Sequence, residues 1–324
     1  MASEKTDDRP ASADPHDDGI DRRGFLQCMA WVGTGLVWTL SSGVISSRAF
    51  GEPAPGNATA ADFTFAQISD THIGFAKEPN KDVIATYRLA LKKLMALKQT
   101  PDFLLHTGDL THLSKAAEFD AVEQVLKESN VSNTFYVPGE HDMFADQGKQ
   151  YLDRFGKKTQ GTGWQSFDYK GVHFVGLVNV ADLKPGGLGT LGHEQIDWLK
   201  KDLEGVKDST QIVVFAHVPL WTVYPKWGWG TEDSEQALSL MKRFGAVTVL
   251  NGHIHQVMQK TEGNVTFHTA RSTAFPQPEP GKAESPGPIK NVAADKLRSM
   301  LGLATVNYVE QNRPLAIVDA TLDD

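Results

Sequence analysis

Cysteine is almost missing from this chain of 324 residues: there is one, Cys28, within the first fifty. An internal disulfide and a cysteine-ligated zinc site are therefore excluded. The rest of the chain must be held by its core and by any bound metal. A basic excess is missing too. A formal net charge of −8 offers no basic stripe for a phosphate backbone, so a nucleic-acid polymer is not an expected partner. Long apolar runs are also lacking. The apolar stretch from Trp31 to Ile45 is broken by Gly, Ser and Thr and is shorter than the roughly 20 residues a membrane span needs. There is no internal repeat and no low-complexity domain. What is present, 40% hydrophobic and 22% charged residues, is enough for a globular core of one large or two ordinary domains.

The first fifty residues read as an address rather than as fold. Asp21-Arg22-Arg23-Gly24-Phe25-Leu26-Gln27 before a modest apolar segment reads as a bacterial twin-arginine export signal over 1–50. Ser47-Arg48-Ala49 and Ala58-Thr59-Ala60 both carry small residues at a spacing that suits cleavage, and an uncleaved anchor is the alternative. Gln27 before Cys28 does not suit a lipid-anchor box. A periplasmic or other extracytoplasmic protein is expected, with no stable membrane insertion once the signal is removed. Residues 51–62, rich in Gly, Pro, Asn, Ala and Thr, read as a linker.

From Phe63 the pattern alternates. Strands are predicted at Phe63–Ser69, Phe103–Thr107 and Thr134–Pro138, with helices at Lys81–Lys98 and Lys115–Glu128, whose apolar residues recur at helical spacing. Trp164–Tyr169 and Val172–Val178 flank Lys170-Gly171, a hairpin signal. A helix is expected at His193–Leu203, strands at Gln211–Ala216, Ala246–Leu250 and Val265–Ala270, and a helix from about Asp233 to Phe244. The proline-rich segment 276–288 opens a loop reaching to about 300 and is expected near the same sheet edge as the motifs described next. Val306–Glu310 and Pro314–Thr321 read as a closing pair within 306–321. The fold class implied is α/β, one domain over 63–324, with two packed mixed sheets flanked by helices.

Five short motifs each follow a predicted strand: Ser69-Asp70-Thr71-His72, Gly108-Asp109, Gly139-Glu140-His141-Asp142, Ala216-His217 and Gly252-His253-Ile254-His255. In α/β sheets the loops at the carboxyl ends of strands converge on ligands. Taken alone, His217 could be a core histidine and Asp109 a turn residue. The pairs Asp70/His72 and His253/His255 are stronger, because in extended backbone positions i and i+2 face the same way, so each pair can grip one ion. Imidazole and carboxylate donors without thiolate suit Zn, Mn, Fe, Co or Ni.

The ordered set D-x-H, GD, GEHD, H and GHxH resembles that of the calcineurin-like metallophosphoesterases, most closely the branch holding cyclic-nucleotide phosphodiesterases, over roughly Phe63 to Ala270. Further similarity lies in Leu191–Leu203 and in His217-Val218-Pro219-Leu220. The resemblance implies a metal-dependent phosphoric ester hydrolase with two metal ions (Mn, Fe, Zn or mixed). It implies Asp70, His72 and His255 on one ion, His217, His253 and Glu140 on the other, and Asp109 between them. It further implies a bridging hydroxide as nucleophile, with His141 facing the leaving group and oriented by Asp142.

Two positions depart from the family pattern. Glu140 stands where asparagine is usual, which sets three carboxylates against two divalent ions and favours a diester monoanion over a monoester dianion. A trivalent iron, or a Glu140 that swings away and weakens the second site, are the alternatives. His112, three residues after Asp109, is either an additional donor or orienting partner, or a surface histidine. Beside His217, the stretch Pro219–Trp229 holds three of the seven tryptophans. Trp221, Tyr224 and Trp227 could stack part of a substrate or pack on the core, and Arg271 and Lys226 could meet a phosphate or stay solvated. The expected function is an exported phosphodiesterase acting on a phosphate ester. The alternatives are a broad phosphomonoesterase or nucleotide hydrolase, and a non-catalytic metal- or ligand-binding protein.

Overall fold

Continuous apolar runs form strands covered on both faces, as parallel strands inside an α/β protein must be. The computed structural model describes residues 36–41, 44–49, 62–129, 131, 133–310 and 315–323, and the chain divides into two units, Met1–Ala60 and Ala61–Asp324. In the first, β1 (Leu36–Ser41) pairs antiparallel with β2 (Val44–Ala49), Leu36 opposite Ala49. The twin arginines Arg22 and Arg23 and Cys28 lie outside the described residues. Among the described residues no helix is long and apolar enough to cross a membrane.

The second unit opens with β3 (Phe63–Ile68), α1 (Val83–Met95), β4 (Phe103–His106), α2 (Ala116–Glu128) and β5 (Thr134–Tyr136). Asp82 caps α1 by accepting from the Ala85 amide at 2.9 Å, while Val83, Tyr87, Leu91 and Leu94 form its buried stripe. After α3 (Lys149–Phe155) come β6 (Gln165–Tyr169) and β7 (Val172–Gly176). They form an antiparallel hairpin whose two turn residues have positive φ, Lys170 at 44° and Gly171 at 81°. That backbone matches the twist of the strands on either side. The chain continues through α4 (His193–Glu204), β8 (Gln211–Phe215), α5 (Ser234–Met241), β9 (Val247–Asn251), β10 (Gln259–Glu262), β11 (Val265–Thr269), α6 (Leu297–Met300), β12 (Gly302–Tyr308) and β13 (Ala316–Thr321).

Two mixed sheets result. One runs β13-β12-β3-β4-β5, parallel where β3, β4 and β5 meet; the other runs β10-β11-β9-β8-β7-β6, parallel from β11 to β7. Phe65, Phe103 and Leu105 of the first meet Phe174, Val213 and Phe215 of the second in an apolar layer between the sheets. Helices α1 and α2 cover the outer face of the first sheet and α4 and α5 that of the second. The α/β expectation of two packed mixed sheets flanked by helices holds. Element ends lie within four residues of the sequence reading, the largest shift being the start of β12 at Gly302 rather than Val306. Strands β1, β2 and β10 and helices α3 and α6 were not expected: β1 and β2 fall in the segment read as an export signal, Gln259–Glu262 is exposed throughout and carries no apolar alternation, and α3 and α6 are only seven and four residues long.

Candidate metal centre

The loops after β3, β4, β5, β8 and β9 carry the five motifs, and their backbone is not extended. Among the described residues, five of the eight non-glycine positions with positive φ are Asp70 (55°), His72 (41°), Asp109 (51°), His253 (69°) and His255 (54°). Left-handed backbone costs an ordinary residue about 1–2 kcal/mol, and concentration of that cost in one place marks a site held by its surroundings. The i, i+2 argument from extended backbone is therefore corrected. Asp70 and His72 do share a donor group, but His253 and His255 part company. The motif glycines are there for space. A Cβ on Gly139 would overlap Asp109 Oδ1, and one on Gly252 would overlap Ser69 Oγ.

Two donor groups face each other. Asp70, His72 and His255 form one; Glu140, His217 and His253 form the other. His255 Nε2 lies 3.2 Å from Asp70 Oδ1 and 3.2 Å from His72 Nε2. Glu140 reaches both histidines of its group, Oε2 at 2.9 Å from His217 Nε2 and Oε1 at 3.1 Å from His253 Nδ1. The Glu140 side chain is thus turned inward. Asp109 Oδ2 sits between the groups, 3.5 Å from His72 Nε2 and 3.4 Å from His217 Nε2.

The donor set fits cations on its own chemistry. His217 Nδ1 donates to the Thr107 carbonyl (2.7 Å) and His255 Nδ1 to the Phe275 carbonyl (2.6 Å). Each Nε2 then turns a lone pair toward carboxylate oxygens, an arrangement of acceptor against acceptor that needs a cation or a proton between. Burial works against charge on His217, yet Asp109 and Glu140 raise its pKa well above the ordinary imidazole value. Burial likewise opposes charge on Glu140, yet His253 and His217 hold it well below the usual carboxylate value. Burial, reinforced by His141, His255 and His112, keeps His72 well below the imidazole value and hence neutral, the form that ligates metal.

His141 and Asp142 behave differently from one another. The His141 ring donates from Nδ1 to the His112 carbonyl at 2.7 Å, and its main-chain amide donates to Asp109 Oδ1 at 2.9 Å. Asp142 does not hold that ring. It is wholly buried and accepts from the amides of Leu110 (3.1 Å), Thr111 (2.9 Å) and Gly139 (3.0 Å) and from Thr111 Oγ1 (2.8 Å), which ties the loop after β4 to the loop after β5. Burial and then the Asp109 charge push Asp142 up to about 7, against the pull of those donors. His112 is half-buried, with its ring stacked on His141 (5.0 Å, 16°) and Nδ1 3.5 Å from His72 Nδ1. It is not a detached surface histidine.

A cleft of about 460 Å³ opens in front of these groups, reaching His72, Asp109, His112, Glu140, His141 and His253. Of the aromatic and basic candidates near His217, Trp227 lines it, and Tyr224 backs Trp227 edge-on at 5.1 Å and 82°. Trp221 packs on Phe267 at 5.1 Å against the α4/α5 side of the second sheet, and neither Trp221 nor Arg271 lines the cleft. Lys226 is exposed and does not line it either. The sequence reading missed Phe75, Phe144, Leu183 and Phe275 as wall residues, while Trp229, within the tryptophan-rich stretch it singled out, does line the cleft. It also missed the carbonyls of Thr107, His112 and Phe275. A main-chain carbonyl carries no residue-type signal, and an apolar wall residue reads like any core residue.

Comparison with known proteins agrees with this geometry. The sequence profile described as calcineurin-like phosphoesterase matches residues 63–257. The chain is 25% identical over 218 residues to a 3',5'-cyclic-nucleotide phosphodiesterase of Nostoc sp., covering 65% of this chain and 79% of that protein. It is 24% identical over 224 residues to a glycerophosphodiester phosphodiesterase of Enterobacter lignolyticus, covering 66% and 78%. Among solved structures, a dimetal phosphatase from Danio rerio superposes with a TM-score of 0.56 at 15% identity, over 81% of this chain and 99% of that one, and speaks to the fold alone. With the profile spanning most of the second unit and both donor groups assembled at its sheet edge, the chain belongs to the calcineurin-like phosphoesterase family and is a metal-dependent phosphoester hydrolase.

Proposed function

We propose that this hydrolase is an exported phosphodiesterase, cleaving a P–O bond of a phosphodiester monoanion at a dinuclear metal centre. The observation that carries this reading is the inward Glu140 carboxylate. Asp70, Asp109 and Glu140 set three negative charges against two divalent ions, and the single positive charge left suits a monoanion better than a dianion. Similarity to proteins named as cyclic-nucleotide and glycerophosphodiester phosphodiesterases supports the same class.

Asp70, His72 and His255 would hold one ion and Glu140, His217 and His253 the other, with Asp109 shared. Bound ions, for which Mn, Fe, Zn or a mixed pair suits the donors, supply Lewis-acid charge that offsets the negative charge growing on the phosphoryl oxygens. His141 keeps its Nδ1 proton on the His112 carbonyl, which leaves Nε2 for the leaving oxygen. Its amide on Asp109 Oδ1 fixes that ring relative to the shared carboxylate. The Asp21–Gln27 motif supports twin-arginine export to the periplasm, a route for cargo already folded with its metal.

The test couples metal content to turnover. Protein purified from the periplasm of an exporting host is expected to hold near two metal ions per chain and to prefer a chromogenic phosphodiester over its monoester. Asp109→Asn should lower kcat by at least about a hundredfold with an unchanged circular dichroism spectrum. Near-wild-type turnover in that variant would remove the shared-carboxylate assignment. Two metals with no turnover on either ester would point to a binding protein. Periplasmic accumulation of an Arg22→Lys, Arg23→Lys precursor would remove the export reading.

A further inference from the structure

The phosphodiesterase reading leaves open what the ester carries, and the walls of the cleft bear on that. Phe144, Leu183, Trp227, Phe275, Pro286 and Pro288 form them. Among the described residues, no lysine or arginine lines the cleft. Phe144 is 57% exposed and Leu183 37%, so large apolar side chains are left facing water at the mouth of the site, where a ligand would cover them.

The aromatic walls are braced and adjoin the donors. Trp227 is held edge-on by Tyr224 (5.1 Å, 82°) and by Trp229 (5.1 Å, 78°), and Trp229 is fully buried. Phe144 lies 4.7 Å from the His141 ring, and Phe275 lies 4.7 Å from the rings of both His72 and His255. A group attached to a phosphoryl centre between the donor groups therefore lies beside aromatic rings at once. Outside the donor groups, His112 and His141, Gln277 is the one polar side chain described in this lining, so the hydroxyls of a glycerol group would find a single amide there, and a second anionic charge would find no lysine or arginine.

Resting on the phosphodiesterase reading, we propose that this cleft is a specificity subsite for one ester group of a phosphodiester monoanion. That group is a flat, uncharged ring seated against Trp227 and Phe144. Aryl and nucleobase-bearing diesters belong to the class; glycerol-bearing diesters, and esters with a second anionic group, do not.

The metal-loaded protein tests this by competitive inhibition of a single reporter diester, bis(4-nitrophenyl) phosphate. Three monoesters of methylphosphonic acid serve as probes: the phenyl and glyceryl esters, which are monoanions, and the carboxyphenyl ester, which carries a second negative charge. The phenyl ester should inhibit at about tenfold lower concentration than either of the others. Trp227→Ala should raise the inhibition constant of the phenyl ester about tenfold and that of the glyceryl ester by much less. Leu183→Lys, at an exposed position, should shift the preference toward the carboxyphenyl ester several-fold. Equal inhibition by all three probes, or variants that move all three constants together, would overturn the subsite while reporter turnover leaves the phosphodiesterase reading intact. Loss of that reading would show instead as metal-loaded protein that does not turn over the reporter at all.

Discussion

Glu140 puts a third carboxylate among the donors, and its two oxygens lie within 3.1 Å of His217 and His253. One charge a few ångströms from a phosphoryl group is a large effect even when partly screened. Glu140→Asn should therefore raise monoester kcat/KM relative to diester by at least about tenfold, measured on paired chromogenic substrates. An unchanged ratio would end the charge argument. Asp142 acts at the same scale but by position. Asp142→Ala leaves three main-chain amides without their acceptor in a buried site, an expected loss of about 3 kcal/mol in urea unfolding. Turnover should fall with it, because Leu110 and Thr111 follow Asp109 directly, and Gly139 precedes Glu140. The sequence shows that Asp142 is an acid beside a histidine. It does not show that the acid's partners include two amides 31 and 32 residues upstream, which is why it reads as orienting His141 when it clamps two loops.

Among the elements, β6, β7 and α4 are joined by a buried histidine. His173 on β7 meets Asp168 on β6 at 2.8 Å through Nδ1 and Asp202 on α4 at 2.9 Å through Nε2. Burial opposes its charge, but the bonds to Asp202 and Asp168 raise its pKa above the ordinary 6.5. A raised folded-state pKa stabilises the folded form fully below the unfolded value and loses that stabilisation as pH climbs through the folded one. Wild-type unfolding free energy should therefore decline with pH from about 6.5 upward, and His173→Gln should flatten that decline in urea titrations. Equal slopes would remove the proposed link. Elements with an apolar stripe, such as α1 and α2, and continuous apolar runs, such as β8 and β9, were legible to within a few residues. Strand β10 was not, because an edge strand exposed on both faces is fixed only by its pairing with β11.

At the scale of the molecule, the donors come from both sheets: Asp70, His72, Asp109 and Glu140 follow β3, β4 and β5, while His217, His253 and His255 follow β8 and β9. Bound ions would join the two sheets at one edge, so they should stabilise the whole second unit. Chelation is expected to lower its unfolding free energy by about 3 kcal/mol where free metal stands near a hundred times its Kd, read as a drop in Tm that added metal reverses. A Tm indifferent to chelator would mean the ions do not bridge the sheets. The family, and the convergence of these candidate donors at one sheet edge, could be read from the order of the five motifs, because each follows an apolar run that folds as a strand and strand ends converge. Chain folding decided the rest. His253 and His255 lie on opposite donor groups, as the family resemblance implies and the two-residue periodicity of an extended strand does not, and it is the left-handed loop backbone that sets aside that periodicity. Trp227 rather than Trp221 or Arg271 reaches the cleft because long-range packing, which local sequence does not encode, chooses which rings face the site and which face the core.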